Sequence, residues 1–130
     1  MLGLKMKIEV GRRATYERTF TAEDVNSFAE LSGDKGVHHV RPDGRGRIMV
    51  QGLLTATVPT KLGGDMNYIA REMTFRFAKP VFVGDTVRCE AVVTKVEPAE
   101  GHLNLAIEIV CRNQEGEEVL LGETEGVIRL

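Results

Sequence analysis

The sequence predicts an α+β fold in which one antiparallel sheet wraps around a central buried helix. The first observation behind this prediction is segment 51–62, which is apolar or small almost throughout and contains no acidic residue. A helix of that composition is expected to be buried on most of its faces. The second observation is the region from residue 67 onward, where apolar residues alternate along strand-length runs separated by turn sequences. Together they predict one helix packed against a strongly twisted sheet.

Length and composition restrict the classes of protein to consider. The 130 residues are predicted to form a single domain, 1–130, which is long enough to bury a core without disulfides. The net charge of −2, without any block of like charges, argues against nucleic acid or an anionic membrane as a partner. No run of residues resembles a signal peptide or a membrane span, so we expect a cytoplasmic protein. Cys89 and Cys111 lie in alternating apolar runs, which predicts core residues and not a disulfide.

The N-terminal region is predicted to contain strands followed by a helix. Segments 7–10 and 14–20 flank a Gly-Arg-Arg sequence, which indicates a strand or a strand pair with a tight turn. Thr21 then precedes a helix predicted for residues 22–31, because its hydroxyl can cap free N–H groups and acidic residues follow in the first turn. Gly33 is the predicted stop.

Two segments without strand character follow this helix. Residues 33–47 are rich in glycine and have no periodicity, which predicts a long loop of the kind that is usually functional or disordered. Segment 51–62 is the predicted buried helix. Pro59 lies inside it and predicts either a kink at that residue or a helix end near residue 57. A break is predicted at the Gly-Gly-Asp sequence of residues 63–65.

The remainder of the chain is predicted to supply most of the sheet. Strands are predicted at 67–77, 86–96, 103–111 and 119–128, with a turn-rich link at 79–85 and turns at 98–101 and 113–116. The run 103–111 has the clearest alternation, with apolar residues at every second position. A long strand at the edge of such a sheet favours pairing with a second copy of the chain, so we expect a homodimer or a higher oligomer.

The loop carries the residues best suited to chemistry. Asp34 and His39 lie five positions apart, and a carboxylate beside an imidazole can remove and return a proton near neutral pH. The alternative is structural, with Asp34 ending the helix at a turn and His39 a solvated loop histidine. His38 competes with His39 for the same role, and neighbours in an extended loop point in opposite directions, so only one of them is expected to face a pocket. His102 is expected to be exposed beside a hairpin turn.

Gln51, Gly52 and Leu53 begin the predicted buried helix. The first N–H groups of a helix have no internal partners, and a glycine lets a ligand approach the backbone closely. The Gly52 N–H could therefore stabilise charge that develops on a thioester carbonyl, unless Gly52 is only a packing or capping residue. No acid or cysteine stands at ligand spacing from a histidine, so no metal site is predicted. Four basic residues are expected to form a solvated face: Lys61, Arg71, Arg76 and Lys79.

These motifs resemble the MaoC-like dehydratases, a family that includes the (R)-specific enoyl-CoA hydratases. The sequence SGDKGVHH is similar to the family motif, in which a His follows an Asp by five positions; Asp34 and His39 match it. VQGLLTA is similar to the start of the family's central helix, with Gln51 in place of the family's His before Gly52. FAELSGD and FRFAKPVFVGDTV also resemble the family, so the likeness covers most of residues 20–95. The family's Asn-Pro is Gly36-Val37 here.

The resemblance implies a fold and an activity. It implies a dimeric hotdog fold with the acyl chain in a tunnel at the interface. Asp34 and His39 would activate a water that adds to a trans-2-enoyl thioester, the Gly52 N–H would polarise the carbonyl, and Gln51 and Leu53 would line the pocket. No metal or redox cofactor is expected, since coenzyme A or acyl carrier protein is part of the substrate.

Two other functions fit the same expectations. A hotdog thioesterase would hydrolyse the same class of thioester, with one carboxylate activating water against the carbonyl. An acyl-thioester binding protein would keep the tunnel without the chemistry, and this alternative is favoured by Gly36, Val37 and Gln51 at positions where the family has other residues. Replacing Asp34 with Ala distinguishes the three functions.

Overall fold

The structure is a computed structural model that describes residues 7–130. One antiparallel sheet has the spatial order β1-β3-β4-β5-β2. Its strands are β1 (Arg13–Thr19), β2 (Tyr68–Phe77), β3 (Thr86–Ala99), β4 (His102–Arg112) and β5 (Glu118–Arg129). The first two strands of the chain therefore lie at opposite edges of the sheet, and the last three form a meander between them.

Four helices lie between β1 and β2. They are α1 (Ala22–Ser32), α2 (Val37–Val40), α3 (Gly52–Thr55) and α4 (Thr57–Asp65). The helix α4 packs against β1, β2 and β3, so the sheet curves around it. Val58 and Leu62 of α4 are buried in one core with the inward-facing residues of β3, β4 and β5. This arrangement confirms the predicted α+β fold with a buried helix against an antiparallel sheet.

Alternation along the central strands creates the sheet side of the core. Every second residue of β4 from Leu105 to Cys111 is buried, and β3 alternates in the same way. Cys89 lies directly opposite Cys111 in the β3–β4 register. Both thiols are free and wholly buried, which confirms their prediction as core residues. A hydrogen bond with the Cys89 thiol, together with burial, raises the pKa of the Cys111 thiol above its ordinary value.

The predicted strand at residues 7–10 and the predicted loop 33–47 need correction. Residues 7–10 have no strand, and β1 begins at Arg13. Within the loop, one helical turn, α2, closes with the His39 N–H donating to the Gly36 carbonyl at 2.8 Å. Strands β3 and β5 also extend beyond their predicted ends, so that Pro98 pairs with Leu103 and the β3–β4 turn is tighter than expected.

The central helix is divided at Ala56, which is three residues before the kink predicted at Pro59 and next to the alternative, a helix end near residue 57. Pro59 is the third residue of α4, where a backbone N–H has no acceptor inside the helix, so the ring costs little. Gly63, Gly64 and Asp65 belong to α4 and do not form the predicted break. Among residues 7–130, no helix is long and apolar enough to cross a membrane.

Candidate active site

The end of α1 places Asp34 by a short chain of hydrogen bonds. Ser32 Oγ donates to the Phe28 carbonyl at 2.6 Å and accepts from the Asp34 N–H at 3.0 Å. Gly33 turns the backbone with a φ of 78°, in the left-handed region that favours glycine. Asp34 thus emerges from a fixed helix end, with its side chain 49% exposed.

The turn α2 then brings His39 back to Asp34. Asp34 Oδ1 accepts the Gly36 N–H at 3.3 Å, which ties the carboxylate to the start of α2. His39 Nε2 lies 3.5 Å from Asp34 Oδ2, and the histidine side chain is 6% exposed. The structure therefore brings the predicted pair together, with the carboxylate open to solvent and the imidazole behind it.

A backbone carbonyl selects the tautomer of His39. The His39 Nδ1 lies 2.7 Å from the Met49 carbonyl oxygen, and a carbonyl can only accept a hydrogen bond. Nδ1 therefore carries the hydrogen in the neutral ring, and Nε2 carries a lone pair that faces Asp34. Both atoms of the 3.5 Å pair are then acceptors, an arrangement that suits a water donating one hydrogen to each.

The adjacent His38 faces away from this pair. His39 is buried and His38 is exposed, because successive residues of a helical turn point in different directions. The two rings touch at their edges, with centroids 4.0 Å apart. Only one histidine lies beside Asp34, as expected, although the cause is a helical turn and not the extended loop on which the expectation was based.

Gly52 is the first residue of α3, and no side chain caps this helix. Its N–H therefore has no acceptor within the helix and no capping oxygen. The ring of Phe77 lies over the glycine so closely that a Cβ at this position would be 3.0 Å from the ring. Gly52 thus combines a free N–H with close packing. Its position is compatible both with a donor to a thioester carbonyl and with a packing role, the two alternatives predicted from the sequence.

Gln51 occupies a place that the sequence did not indicate. Its side chain is wholly buried, and its Nε2 donates to the Val25 carbonyl at 3.1 Å and to the Asp34 carbonyl at 3.5 Å. The amide joins the start of α3 to α1 and to the backbone of Asp34. Gln51 Oε1 is buried with no hydrogen-bond partner among residues 7–130. The expectation that Gln51 lines the substrate pocket remains untested.

Among residues 7–130, no hydrogen bond or ion pair joins Asp34 or His39 to Leu53, His102, Lys61 or Lys79. Leu53, predicted to line the pocket, is 64% exposed. His102 is half-buried at the β3–β4 turn, where exposure was expected. Lys61 pairs with Asp65 at 2.6 Å and Lys79 with Glu117, which fits a solvated face. Within the described part of the chain, no three His, Cys, Asp or Glu side chains could hold a metal ion together.

An apolar cavity of about 260 Å³ lies between the C-terminal half of α4 and the sheet. Its walls include Leu62, Gly63 and Gly64 from α4 and Tyr68 and Met73 from β2. The glycines leave space beside the helix, since a Cβ at Gly64 would meet nothing within 4 Å. Of the described cavities, this one has the most strongly apolar walls, and it borders the edge strand β2.

Comparison with known proteins identifies the family. A family model described as the MaoC like domain matches residues 5–109. The chain belongs to the MaoC-like family. This MaoC-like chain is 29% identical over 125 residues to 3-hydroxybutyryl-CoA dehydratase of Methylorubrum extorquens, covering 88% of this chain and 76% of that protein. It is 34% identical over 98 residues to the (R)-specific enoyl-CoA hydratase of Aeromonas caviae, covering 67% of this chain and 72% of that protein.

A solved structure confirms the fold. The (R)-hydratase from A. caviae involved in PHA biosynthesis superposes with a TM-score of 0.84 at 28% identity, covering 97% of this chain and 100% of that chain. The predicted hotdog fold and the resemblance to MaoC-like dehydratases are therefore both confirmed. The relatives are named as a hydratase and a dehydratase, which supports an enzyme of this family.

Proposed function

We propose that the protein catalyses the reversible hydration of trans-2-enoyl thioesters to (R)-3-hydroxyacyl thioesters. The observation that carries this proposal is the 3.5 Å approach of His39 Nε2 to Asp34 Oδ2, with Nδ1 held by the Met49 carbonyl. The names of both relatives support the substrate class, and the name of the Aeromonas caviae relative supports the stereochemistry. Water addition leaves the oxidation state of the substrate as a whole unchanged, so the reaction needs no redox cofactor.

In this mechanism Asp34 and His39 bind one water between them. His39 Nε2 takes a proton as the water oxygen bonds to the β-carbon, and Asp34 stabilises the imidazolium that forms. The pair then returns a proton to the α-carbon, so that one molecule of water is added in total. In the reverse direction the same atoms remove the α-proton and release the hydroxyl group as water.

Charge on the thioester oxygen is the second requirement of the reaction. Addition to the β-carbon moves an electron pair through the α-carbon to the carbonyl oxygen, which becomes an enolate. The uncapped Gly52 N–H at the start of α3 would donate to that oxygen. Such a hydrogen bond stabilises the charged enolate oxygen more than the carbonyl oxygen of the substrate. Phe77 over Gly52 would keep water from competing for the same N–H.

The acyl chain is assigned to the apolar cavity beside α4. Its lining residues offer no charged side chain, which suits a hydrocarbon. A second copy of the chain is proposed to cover the exposed apolar residues of β2 and so close this cavity. The exposed residues are Ile69, Met73 and Phe77, which are 42%, 45% and 50% exposed.

The test uses purified protein and crotonyl-CoA, with loss of the conjugated enoyl absorbance followed in one cuvette and free thiol in another. We expect absorbance to fall without thiol release. His39→Ala should lower kcat by at least about 100-fold, because general acid–base catalysis contributes that much or more. The matched control is His102→Ala, which removes a histidine at the β3–β4 turn and should leave kcat nearly unchanged.

Three results would contradict the proposal in different ways. Thiol release by the wild type would indicate a thioesterase. Loss of activity in both histidine variants to the same extent would deny His39 a specific role. Binding of the enoyl thioester by wild type and Asp34→Ala alike, with no turnover of crotonyl, octenoyl or carrier-protein substrates, would indicate a binding protein.

A further inference from the structure

Two cysteines that have no part in the mechanism face each other across the middle of the sheet. Cys89 of β3 and Cys111 of β4 are direct partners in the register, and they are the only two cysteines of the chain. Both residues are 0% exposed, and their thiols are hydrogen-bonded to each other. The thiols are free in the structure, at a position whose geometry also suits a disulfide.

The backbone of Cys89 is directed toward β1 and away from its partner on β4. Four residues after Cys89, the Val93 N–H donates to the Arg12 carbonyl at 2.9 Å. Four residues before it, the Asp85 carbonyl accepts the Phe20 N–H at 3.0 Å. Backbone direction alternates along a strand, and the β1–β3 register is unbroken around Cys89, so this residue also bonds with β1. The two cysteines are therefore a non-hydrogen-bonded pair of β3 and β4.

Pairs of this kind bring side chains closest together in an antiparallel sheet. Their Cα atoms are about 4.5 Å apart, whereas those of a hydrogen-bonded pair are about 5.5 Å apart. A disulfide needs a Cα separation between about 4.4 and 6.8 Å. Cys89 and Cys111 therefore meet this requirement in the native register. The hydrogen bond between the thiols shows that the two sulfur atoms already lie on the same side of the sheet and close together.

The folded protein protects both thiols from an oxidant in solution. Strands β1 and β5 flank the pair, so it does not lie at an edge of the sheet. Both cysteines belong to the core that also contains Val58 of α4. The hydrogen bond with Cys89, together with burial, raises the pKa of the Cys111 thiol, and the attacking species in disulfide exchange is the thiolate.

The same thiols are open to solvent before the core closes. The β3–β4 hairpin joins strands that are neighbours in the chain, with only a short turn between Ala99 and His102. Such local pairing can precede the packing of α4 against the sheet, because it closes a shorter loop. At that stage the register places Cys89 opposite Cys111 while a small molecule can still reach both.

We propose that Cys89 and Cys111 are a site of oxidative modification, at which a small disulfide such as glutathione disulfide closes a cross-strand bond while the core is open. One cysteine thiolate attacks the oxidant, forms a mixed disulfide and releases one glutathione. The second thiolate attacks the sulfur of the first cysteine and releases the other glutathione. Two protein thiols are thus oxidised to one disulfide, one glutathione disulfide is reduced to two thiols, and both protons pass to the released glutathione.

The bond would lie next to the apolar cavity beside α4. Ala91 and Ile109 are the next inward-facing pair on the same two strands, and both line that cavity. A disulfide between Cys89 and Cys111 would therefore join the two strands of this wall covalently. It would form whether or not the protein is a hydratase.

The experiment compares wild type refolded from urea into glutathione disulfide with wild type refolded into reduced glutathione. Free thiols are then counted in urea with a chromogenic thiol reagent. With glutathione disulfide we expect no free thiol and a mass lower by about 2 Da, for the two hydrogens lost. Tm should rise by at least about 5 °C, because the bond restricts the unfolded chain. With reduced glutathione, and in folded wild type that is incubated with glutathione disulfide, both thiols should remain.

The matched controls are Cys89→Ala and Cys111→Ala, each of which leaves one cysteine in the chain. Neither should gain Tm after refolding with glutathione disulfide, and a gain in either would overturn the proposal. If both variants fail to fold, the thiol count, the mass and the Tm of the wild type still decide.

Three results with the wild type would also overturn the proposal. Two free thiols, or two bound glutathione molecules, after refolding with the oxidant would show that the pair does not close. A disulfide that lowers Tm would show that the native register does not accommodate the bond. Loss of thiols from the folded protein as fast as from the unfolded chain would show that oxidation does not need an open core.

Discussion

At the scale of single residues, Gln51 shows how a side chain outside the chemistry can position it. Its amide is wholly buried and donates to the Val25 carbonyl of α1 and, at 3.5 Å, to the carbonyl of Asp34 itself. Its own oxygen has no partner among the described residues, which costs free energy. Its two donated hydrogen bonds therefore hold the backbone of Asp34 close to α1.

Gln51→Ala is expected to lower the free energy of unfolding by about 2–4 kcal/mol, because it leaves a cavity and removes a buried donor. It should also lower kcat in the crotonyl-CoA assay, since Asp34 loses a backbone contact. Urea denaturation followed by circular dichroism measures the first effect. The control is Gln114→Ala, an exposed glutamine with two hydrogen bonds, which should cost about 1 kcal/mol or less. Equal losses in the two variants would show that burial of Gln51 is unimportant.

The spacing of Asp34 and His39 in the sequence was enough to predict that they lie close together. The position of Gln51 could not be predicted in this way. The pair lies within one short loop, so the chain between its members limits their separation whatever the rest of the molecule does. The partners of Gln51 are 26 and 17 residues away, and only the folded chain brings them within reach. A single glutamine before a glycine gives no sign of such contacts.

At the scale of elements, α1 fixes one end of the candidate site. Thr21 and Asp24 form a reciprocal capping box at its start, in which each side chain accepts the other's backbone N–H. Arg18 Nη2 donates to Asp24 Oδ1 at 2.6 Å and so connects the helix to β1. Burial raises the pKa of Asp24, but hydrogen bonds from Thr21 and Arg18 outweigh it, and the net result is a lowered pKa.

The lowered pKa of Asp24 predicts a pH dependence of stability. The folded state favours the ionised carboxylate, so its contribution is present above the ordinary pKa of aspartate, about 3.9, and is lost as the pH falls through the lower folded value. Asp24→Asn should therefore be less stable than wild type at neutral pH, and the difference should shrink below about pH 4. Urea denaturation at several pH values tests this. Glu23→Gln, in the same turn, is the control and should show a smaller dependence, while a difference that stays constant with pH would contradict the prediction.

The helices were harder to predict than the strands, for local reasons. Alternation identified β2 to β5 to within a few residues, because half-buried strands repeat every second residue. The turn α2 is too short to show a helical period in the sequence. Pro59 predicted a kink at its own position, but the helix is divided earlier, at Ala56. The sequence alone does not show whether a proline lies in the first turn of a helix or inside it.

At the scale of the whole molecule, the edge strand β2 exposes both unpaired backbone and large apolar side chains. It ends the strand order, so one side of its backbone has no neighbouring strand among residues 7–130. Most of its residues are exposed, including three large apolar side chains that lie in the same strand as the wall of the apolar cavity. An exposed edge of this kind promotes aggregation of a monomer, whereas in a dimer it can pair with a second copy of the chain.

Met73→Lys is expected to convert a wild-type dimer to a monomer, because the variant places a charge in the middle of β2. Sedimentation velocity at several protein concentrations measures the change. Val10→Lys is the control, since Val10 is 62% exposed next to the opposite edge strand, β1, and the variant should remain dimeric. A dimeric Met73→Lys, or a wild type that is monomeric at all concentrations, would show that β2 is not the interface.

The overall architecture was predictable because several segments of the sequence independently indicate the same fold. An apolar segment without acids, followed by strand after strand, leaves few folds that bury both. The spatial order of the strands was not predictable in the same way, since β1 carries no mark in its sequence that places it beside β3 and not beside β2. Pairing between β1 and β3 joins residues that are more than sixty positions apart, such as Thr19 and Thr86.

This strand order also determines how the chain can fold. Strands β3, β4 and β5 join neighbours in sequence, so their hairpins need only short loops to close and can form early. Segment 20–67 instead leads from one edge of the sheet to the other, and both of its ends are held in place only when that sheet exists. Asp34, His39 and Gly52 all belong to this segment. The residues proposed to act on the substrate thus belong to a segment that is expected to become ordered after the hairpins of β3, β4 and β5.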